Sequence, residues 1–361
     1  MRSLVFSAAK PLQSYKEAKH MSNKITEKYF IQDDFSQREA DVLARVIGET
    51  GFVVEKEIFR GTIYDKNKVG SLIYKGMLKG QRAVLKLQGL KPEVDEGEII
   101  SHFTAQNESK IVRVPILYTH QPWTEERGYG YLITEYLDFP KIFEMPFATK
   151  EQMRDFVLFY QEYRTSAITR SWVEPETKDS LAFTVLRADI WQKISEHKKR
   201  LVANDYASYL ARYRSVMEKH MPTIPMVFCH GHLTADDIYR TPDNSFVVLS
   251  NLYWSYRPQW YDLAFNIWSC LLHIRDTNYT FEQFLRYVTE WCAIYRTIPV
   301  VQQDKDFDRK ITALLLERTM GAILADLGAN DIWSEKENKR YFQHLLGLHQ
   351  RFFNHLAEKL R

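Results

Sequence analysis

The stretch that most restricts how this chain folds is Cys229-His230-Gly231-His232-Leu233-Thr234-Ala235-Asp236-Asp237-Ile238-Tyr239. An apolar strand-like run follows it, and then Tyr261-Asp262-Leu263-Ala264. Histidines, a glycine and adjacent aspartates between apolar flanks read as a polar loop inserted into a packed region. The rest of the chain is organised around that loop, with strand patterns before it and helical patterns on both sides.

Residues up to about Gln32 carry no strong period and read as a loosely attached tail, with Met1 and Met21 as alternative starts. A helical pattern with Val42, Leu43, Val46 and Ile47 on one side is stopped by Gly51. Strand-like runs follow at Phe52 to Phe59, Ser71 to Leu78 and Arg82 to Gln88, the last two joined by a hairpin-length turn, Lys79-Gly80-Gln81. Further strands are expected at Val112 to Tyr118 and Tyr129 to Glu135. After Tyr136 the pattern becomes helical: Lys150 to Thr165, Leu186 to Lys199, Asp205 to Lys219, Phe281 to Tyr295, Lys305 to Leu327 and Asn338 to Lys359 all space apolar residues by three and four. The expected fold class is therefore α+β. Its units are a tail (1–32), a small antiparallel-sheet lobe with a packed helix (33–137) and a mainly helical lobe (138–361) that carries the polar loop (229–264).

Composition removes several classes of function. Basic residues (49) nearly balance acidic ones (46), and the lysines are scattered, so no nucleic-acid partner is expected. Cys229, Cys270 and Cys292 are widely spaced in apolar company, which fits reduced thiols of a cytoplasmic protein better than disulfides or a zinc site. No apolar run reaches the ~18 residues that a membrane helix needs, so no membrane partner is expected.

The loop closely resembles the catalytic core of the aminoglycoside phosphotransferase and choline kinase-like family, which reads H-G-D-L-x-x-x-N-I-L, then a strand ending I-D, then Y-D-L-A. The resemblance implies a two-lobed protein kinase-like fold with ATP and magnesium as cofactors. In the strand Ala83-Val84-Leu85-Lys86-Leu87-Gln88, Lys86 takes the place of the lysine that pairs the nucleotide phosphates, and Glu96 that of the helix glutamate holding it. Glu135 and Leu137 fall at the inter-lobe hinge, where backbone groups would meet adenine. Gly61 and Gly70 stand where a phosphate loop would be.

The chain departs from the family at the chemistry. His232 occupies the position of the catalytic Asp, and Asp237 that of the metal-binding Asn. An ungapped count back from Asp262 puts Ser250 at the second metal position, with Asn251 next to it. Asp236 is a further oxygen donor. His230 and Asp262 match the family as loop braces. Three readings follow: a pseudokinase acting by binding a nucleotide, a small molecule or a protein; a magnesium-dependent phosphotransferase acting on a small hydroxyl compound, with its metal site rearranged around Asp236 and Asp237; or ordinary polar loop residues in a module that has also lost nucleotide binding. Aromatic residues from Tyr253 to Tyr261 line a pocket or pack the core, the core being the expected role.

Overall fold

A computed structural model describes residues 35–62, 69–92, 94–167, 171, 179–198, 206–327 and 339–361. The expected tail at 1–32 and the middle of the Gly61 to Gly70 loop lie outside the described residues.

Helix α1 (Glu39–Thr50) ends where Gly51 takes a left-handed conformation, φ 70°, and its N–H returns to the Ile47 carbonyl. Strands β1 (Val53–Thr62), β2 (Val69–Leu78) and β3 (Gln81–Gln88) then form an antiparallel meander. The β2–β3 turn has positive φ at both Lys79 (49°) and Gly80 (81°), the geometry whose twist suits a two-residue hairpin. Alternation along β3 sends Ala83, Leu85 and Leu87 into the core under α1 and leaves Val84 and Lys86 on the other face. Helix α2 (Glu96–Gln106) covers that second face; Asp95 caps it by accepting the Glu98 amide.

The expected strand from Val112 to Tyr118 is two strands. Pro115 lacks an N–H and interrupts the ladder. The N-terminal piece, β4 (Val112–Arg113), leaves the sheet and pairs with a strand of the catalytic-type loop; the second, β5 (Leu117–Gln121), stays and pairs with β6 (Gly130–Glu135). The sheet order is β1-β2-β3-β6-β5.

The remainder is mainly helical. Helix α3 (Lys150–Glu162) carries a capping box between Thr149 and Gln152 and runs into a π turn at Tyr163–Ala167. Helices α4 (Ser180–Lys198) and α5 (Tyr206–His220) lead to β7 (Met226–Cys229), the loop, β8 (Ile238–Arg240), β9 (Phe246–Val248) and β10 (Ser255–Pro258). Helix α6 (Tyr261–Leu272) follows, buried at every position, then α7 (Phe281–Tyr295), α8 (Phe307–Gly321) with a π turn at Ala322–Asp326, and α9 (Lys339–Lys359). Sequence periodicity misses α6 because every position is buried, the polar Asp262, Asn266 and Ser269 included, so no solvent-facing stripe marks it. One hydrophobic core runs from Ile99, Ile100 and Phe103 of α2 through α3 and α6 to α9, so α2 is fastened to the helical half. No described helix is long and apolar enough to cross a membrane.

Candidate functional site

The site lies where β3, α2 and the loop meet. Lys86 Nζ donates to Glu96 Oε2 at 2.5 Å, with side-chain exposures of 19% and 8%. The other Glu96 oxygen accepts the Asn251 backbone N–H at 3.1 Å. One carboxylate thus ties the sheet lysine to the helical half. This is the pairing expected from sequence, with an added inter-lobe bond that sequence reasoning missed.

The loop is braced from below. Asp262 accepts the Gly231 amide at 2.9 Å and the Tyr163 hydroxyl at 2.8 Å, while the same hydroxyl accepts the His230 amide at 2.6 Å. Gly231 takes φ 75°, and a Cβ there would stand 2.7 Å from the Tyr253 carbonyl oxygen. His230 is fully buried with Nε2 against the Leu249 carbonyl at 2.7 Å. Burial lowers its pKa below the ordinary histidine value, so it stands neutral as a brace.

Above the brace, three donors converge on Asp237. Its Oδ2 accepts the Thr234 hydroxyl at 2.8 Å and faces His232 Nδ1 at 3.2 Å; its Oδ1 accepts the Ser250 hydroxyl. Burial alone would raise the Asp237 carboxyl. The His232 hydrogen bond and charge, then His230 and the Ser250 hydrogen bond, outweigh it and hold the pKa below the usual carboxylate value. The His232 ring is fixed by stacking on Tyr253 (centroids 4.3 Å, interplanar 19°) and by Phe265 at 4.8 Å. Ser250 reaches Asp237 because it adopts a left-handed backbone, φ 57°.

The remaining expected site residues are placed differently from one another. Asp236 is bound to Lys141 Nζ at 2.5 Å and is separate from the three-donor cluster. The Asn251 side chain is 1% exposed, and both ends of its amide are engaged: Nδ2 donates to the Val248 carbonyl at 2.9 Å and Oδ1 accepts the Trp254 indole at 3.0 Å. Glu135 accepts Arg113 through both oxygens and the Ile116 amide at 2.8 Å, so its side chain braces β4 against β6. Leu137 is half-buried where the chain leaves the sheet. Among the described residues no group of three or more His, Cys, Asp or Glu is disposed to hold a metal ion. The oxygens expected at the magnesium position are hydrogen-bonded within the protein: Asp237 at both oxygens, Asn251 at both ends of its amide and Asp236 to a lysine. Thr234, Tyr163 and Lys141 were not singled out by sequence, and only their neighbourhood to the loop would have flagged Thr234.

No family model and no curated protein sequence matches this chain. Solved structures do. The aminoglycoside phosphotransferase APH(4)-Ia, in a ternary complex with ADP and hygromycin B, aligns with a TM-score of 0.56 at 10% identity over 86% of this chain and 97% of that one. A microcompartment-associated aminopropanol kinase gives 0.56 at 13% identity, over 89% and 99%. A fructosamine-3-kinase homologue from Haemophilus somnus gives 0.51 at 13% identity, over 86% and 96%. At such identities the likeness is one of fold. The chain has the α+β, two-lobed kinase-like fold, in the form shared by the aminoglycoside phosphotransferase and choline kinase-like proteins.

Proposed function

We propose that this protein is a pseudokinase of that fold, which binds a nucleotide between a sheet lobe (33–137) and a helical lobe (138–361) without a magnesium-dependent transfer step. The observation that carries the reading is the triple engagement of Asp237. In a phosphotransferase a bound magnesium ion would neutralise charge developing on the transferred phosphoryl group and would need free, hard oxygen ligands. Here Thr234, Ser250 and His232 already satisfy the carboxylate. His232, held by stacking and facing Asp237 through Nδ1, stands where the family resemblance expects the catalytic Asp.

On the nucleotide side, Lys86 would pair the phosphates while Glu96 holds its ammonium in place. Adenine would lie against backbone groups from Glu135 to Leu137. The similar aminoglycoside phosphotransferase structures hold ADP or AMP-PNP together with hygromycin B, which makes ATP the first ligand to try. The formed Lys86–Glu96 pair also favours a second reading, a phosphotransferase acting on a small hydroxyl compound. An ADP-release assay with ATP, magnesium and a panel of amino alcohols and polyols separates the two. The pseudokinase reading predicts no magnesium-dependent ADP release with any acceptor, and release stimulated by one of them would overturn it.

A further inference from the structure

A groove of about 710 Å³ opens in the helical half between α7, α8 and α9, with the end of α5 at its rim, and it shares no lining residue with the loop site. Its volume falls in the range of small-molecule sites, about 300–1,000 Å³. Each of the three helices turns an apolar stripe to it: Val288 and Cys292 from α7, Ile311 and Leu315 from α8, Phe352 and Leu356 from α9. Cys292 belongs to this floor as a protonated thiol, since burial pushes its pKa up to about 11. The groove is bounded along α7. At one end the Phe284 ring meets Phe352 with centroids 5.1 Å apart, and at the other Arg296 holds Asp308 at 2.5 Å. From Phe284 to Arg296 the helix rises roughly 18 Å.

The rim is basic. Lys219, Arg296, Arg309, Lys359 and Arg361 line it, with Asp308 as the acidic side chain among them. Several of these cations are already spent. Arg296 is paired with Asp308, and Arg309 faces Asp306 at 3.5 Å while donating to the His220 carbonyl at 3.2 Å. Lys219 donates to the Arg361 carbonyl at 2.6 Å, and His220 Nε2 lies against the Leu360 carbonyl at 2.7 Å. The helix C-termini that meet here therefore have their carbonyls answered by other side chains. Lys359 and Arg361 are left with no carboxylate partner among the described residues. Lys359 stands close enough to His355 and Cys292 to act on the charge of both, which puts its ammonium over the apolar floor.

We propose that this groove binds the free anion of a fatty acid, with one alkyl chain along the floor and the carboxylate at Lys359 and Arg361. An elongated apolar trench suits a single chain, and a carboxylate accepts charge-assisted hydrogen bonds from both cations. The excess positive charge disfavours an organic cation. A partner helix running through the groove would have to displace the Phe284–Phe352 contact and the Arg296–Asp308 pair that bound it. This site goes beyond the nucleotide reading and does not rest on it.

The test uses the full chain without nucleotide. Calorimetric titrations of octanoate, decanoate and decyltrimethylammonium, each below its micelle-forming concentration, are compared between wild type, Lys359→Glu and Thr312→Trp. Lys359 is exposed, so reversing its charge leaves the packing intact, whereas Thr312→Trp puts an indole into the groove. We expect one decanoate site per chain, with octanoate about tenfold weaker for want of two buried methylenes. Lys359→Glu should weaken decanoate at least about fivefold and Thr312→Trp should abolish its binding, while wild type takes up no decyltrimethylammonium. Absence of one-site decanoate binding, equal affinity for octanoate, or ammonium binding as tight as decanoate would each overturn the proposal. So would an unchanged decanoate affinity in Lys359→Glu, or in Thr312→Trp if that variant melts like wild type.

Discussion

Tyr163→Phe removes one oxygen atom and should loosen the whole loop. That hydroxyl, on a side chain buried at 0% exposure, accepts the His230 amide and donates to Asp262, which also holds the Gly231 amide. The phenyl ring stays, so packing against Phe159 and Trp254 is kept. What is lost is a partner for a buried N–H and one donor to a buried carboxylate. Stranding a buried polar group costs about 1–3 kcal/mol, and bonds to charged groups lie at the upper end. A loss of about 3 kcal/mol is therefore expected. With an unfolding entropy of roughly 2.1 cal/mol/K per residue over 361 residues, that is a fall of about 4 °C in melting temperature. Tyr160→Phe is the control: Tyr160 is equally buried at 2% and one turn earlier on α3, but makes no such bridge. Urea unfolding at pH 7 measures both. If Tyr163→Phe loses no more stability than Tyr160→Phe, the hydroxyl is not the brace described here.

Two further expectations are independent of that one. Gly231→Ala forces a left-handed alanine at φ 75° with its Cβ 2.7 Å from the Tyr253 carbonyl, so a loss of about 2 kcal/mol is expected in urea unfolding; a neutral result would mean that the loop backbone shifts freely. Acidification should destabilise the fold through His349, whose pKa burial lowers from 6.5 to about 4. Because the unfolded chain takes up this proton first, stability is complete above about pH 6.5 and falls as pH drops toward 4, by up to about 3 kcal/mol. His349→Met should flatten that slope by about one proton in unfolding curves at pH 7 and pH 5, and an unchanged slope would assign the acid response to other groups.

Much of this architecture is legible in the residues. Alternation along β3 places Lys86 on the face opposite the α1 core, and spacing from Ile99 and Ile100 places Glu96 beside it. The Lys79-Gly80 turn is equally local. The elements that sequence reasoning misplaces are those decided by distant partners. Helix α6 has no exposed face because α8 and α7 pack against it, and β4 joins the C-terminal half because Pro115 ends its ladder while Phe246 and Val247 offer another. The site divides the same way. His230, His232, Asp237 and Asp262 stand out as a motif, yet the sequence shows neither that Ser250 and Thr234 fill Asp237 nor that Asn251 turns inward to Trp254. Arg187 and Glu317 meet across 130 positions, a separation over which no local pattern is visible.

The central claim is that Asp237 is satisfied internally, so that a nucleotide binds without the metal. Titration of ATP into the purified protein, once with magnesium and once with EDTA, tests it directly, with Lys86→Ala in parallel. The account predicts dissociation constants within about twofold of each other, both weakened about tenfold by Lys86→Ala, a change of roughly 1.4 kcal/mol. Binding at least tenfold tighter with magnesium would show a working metal site and contradict it.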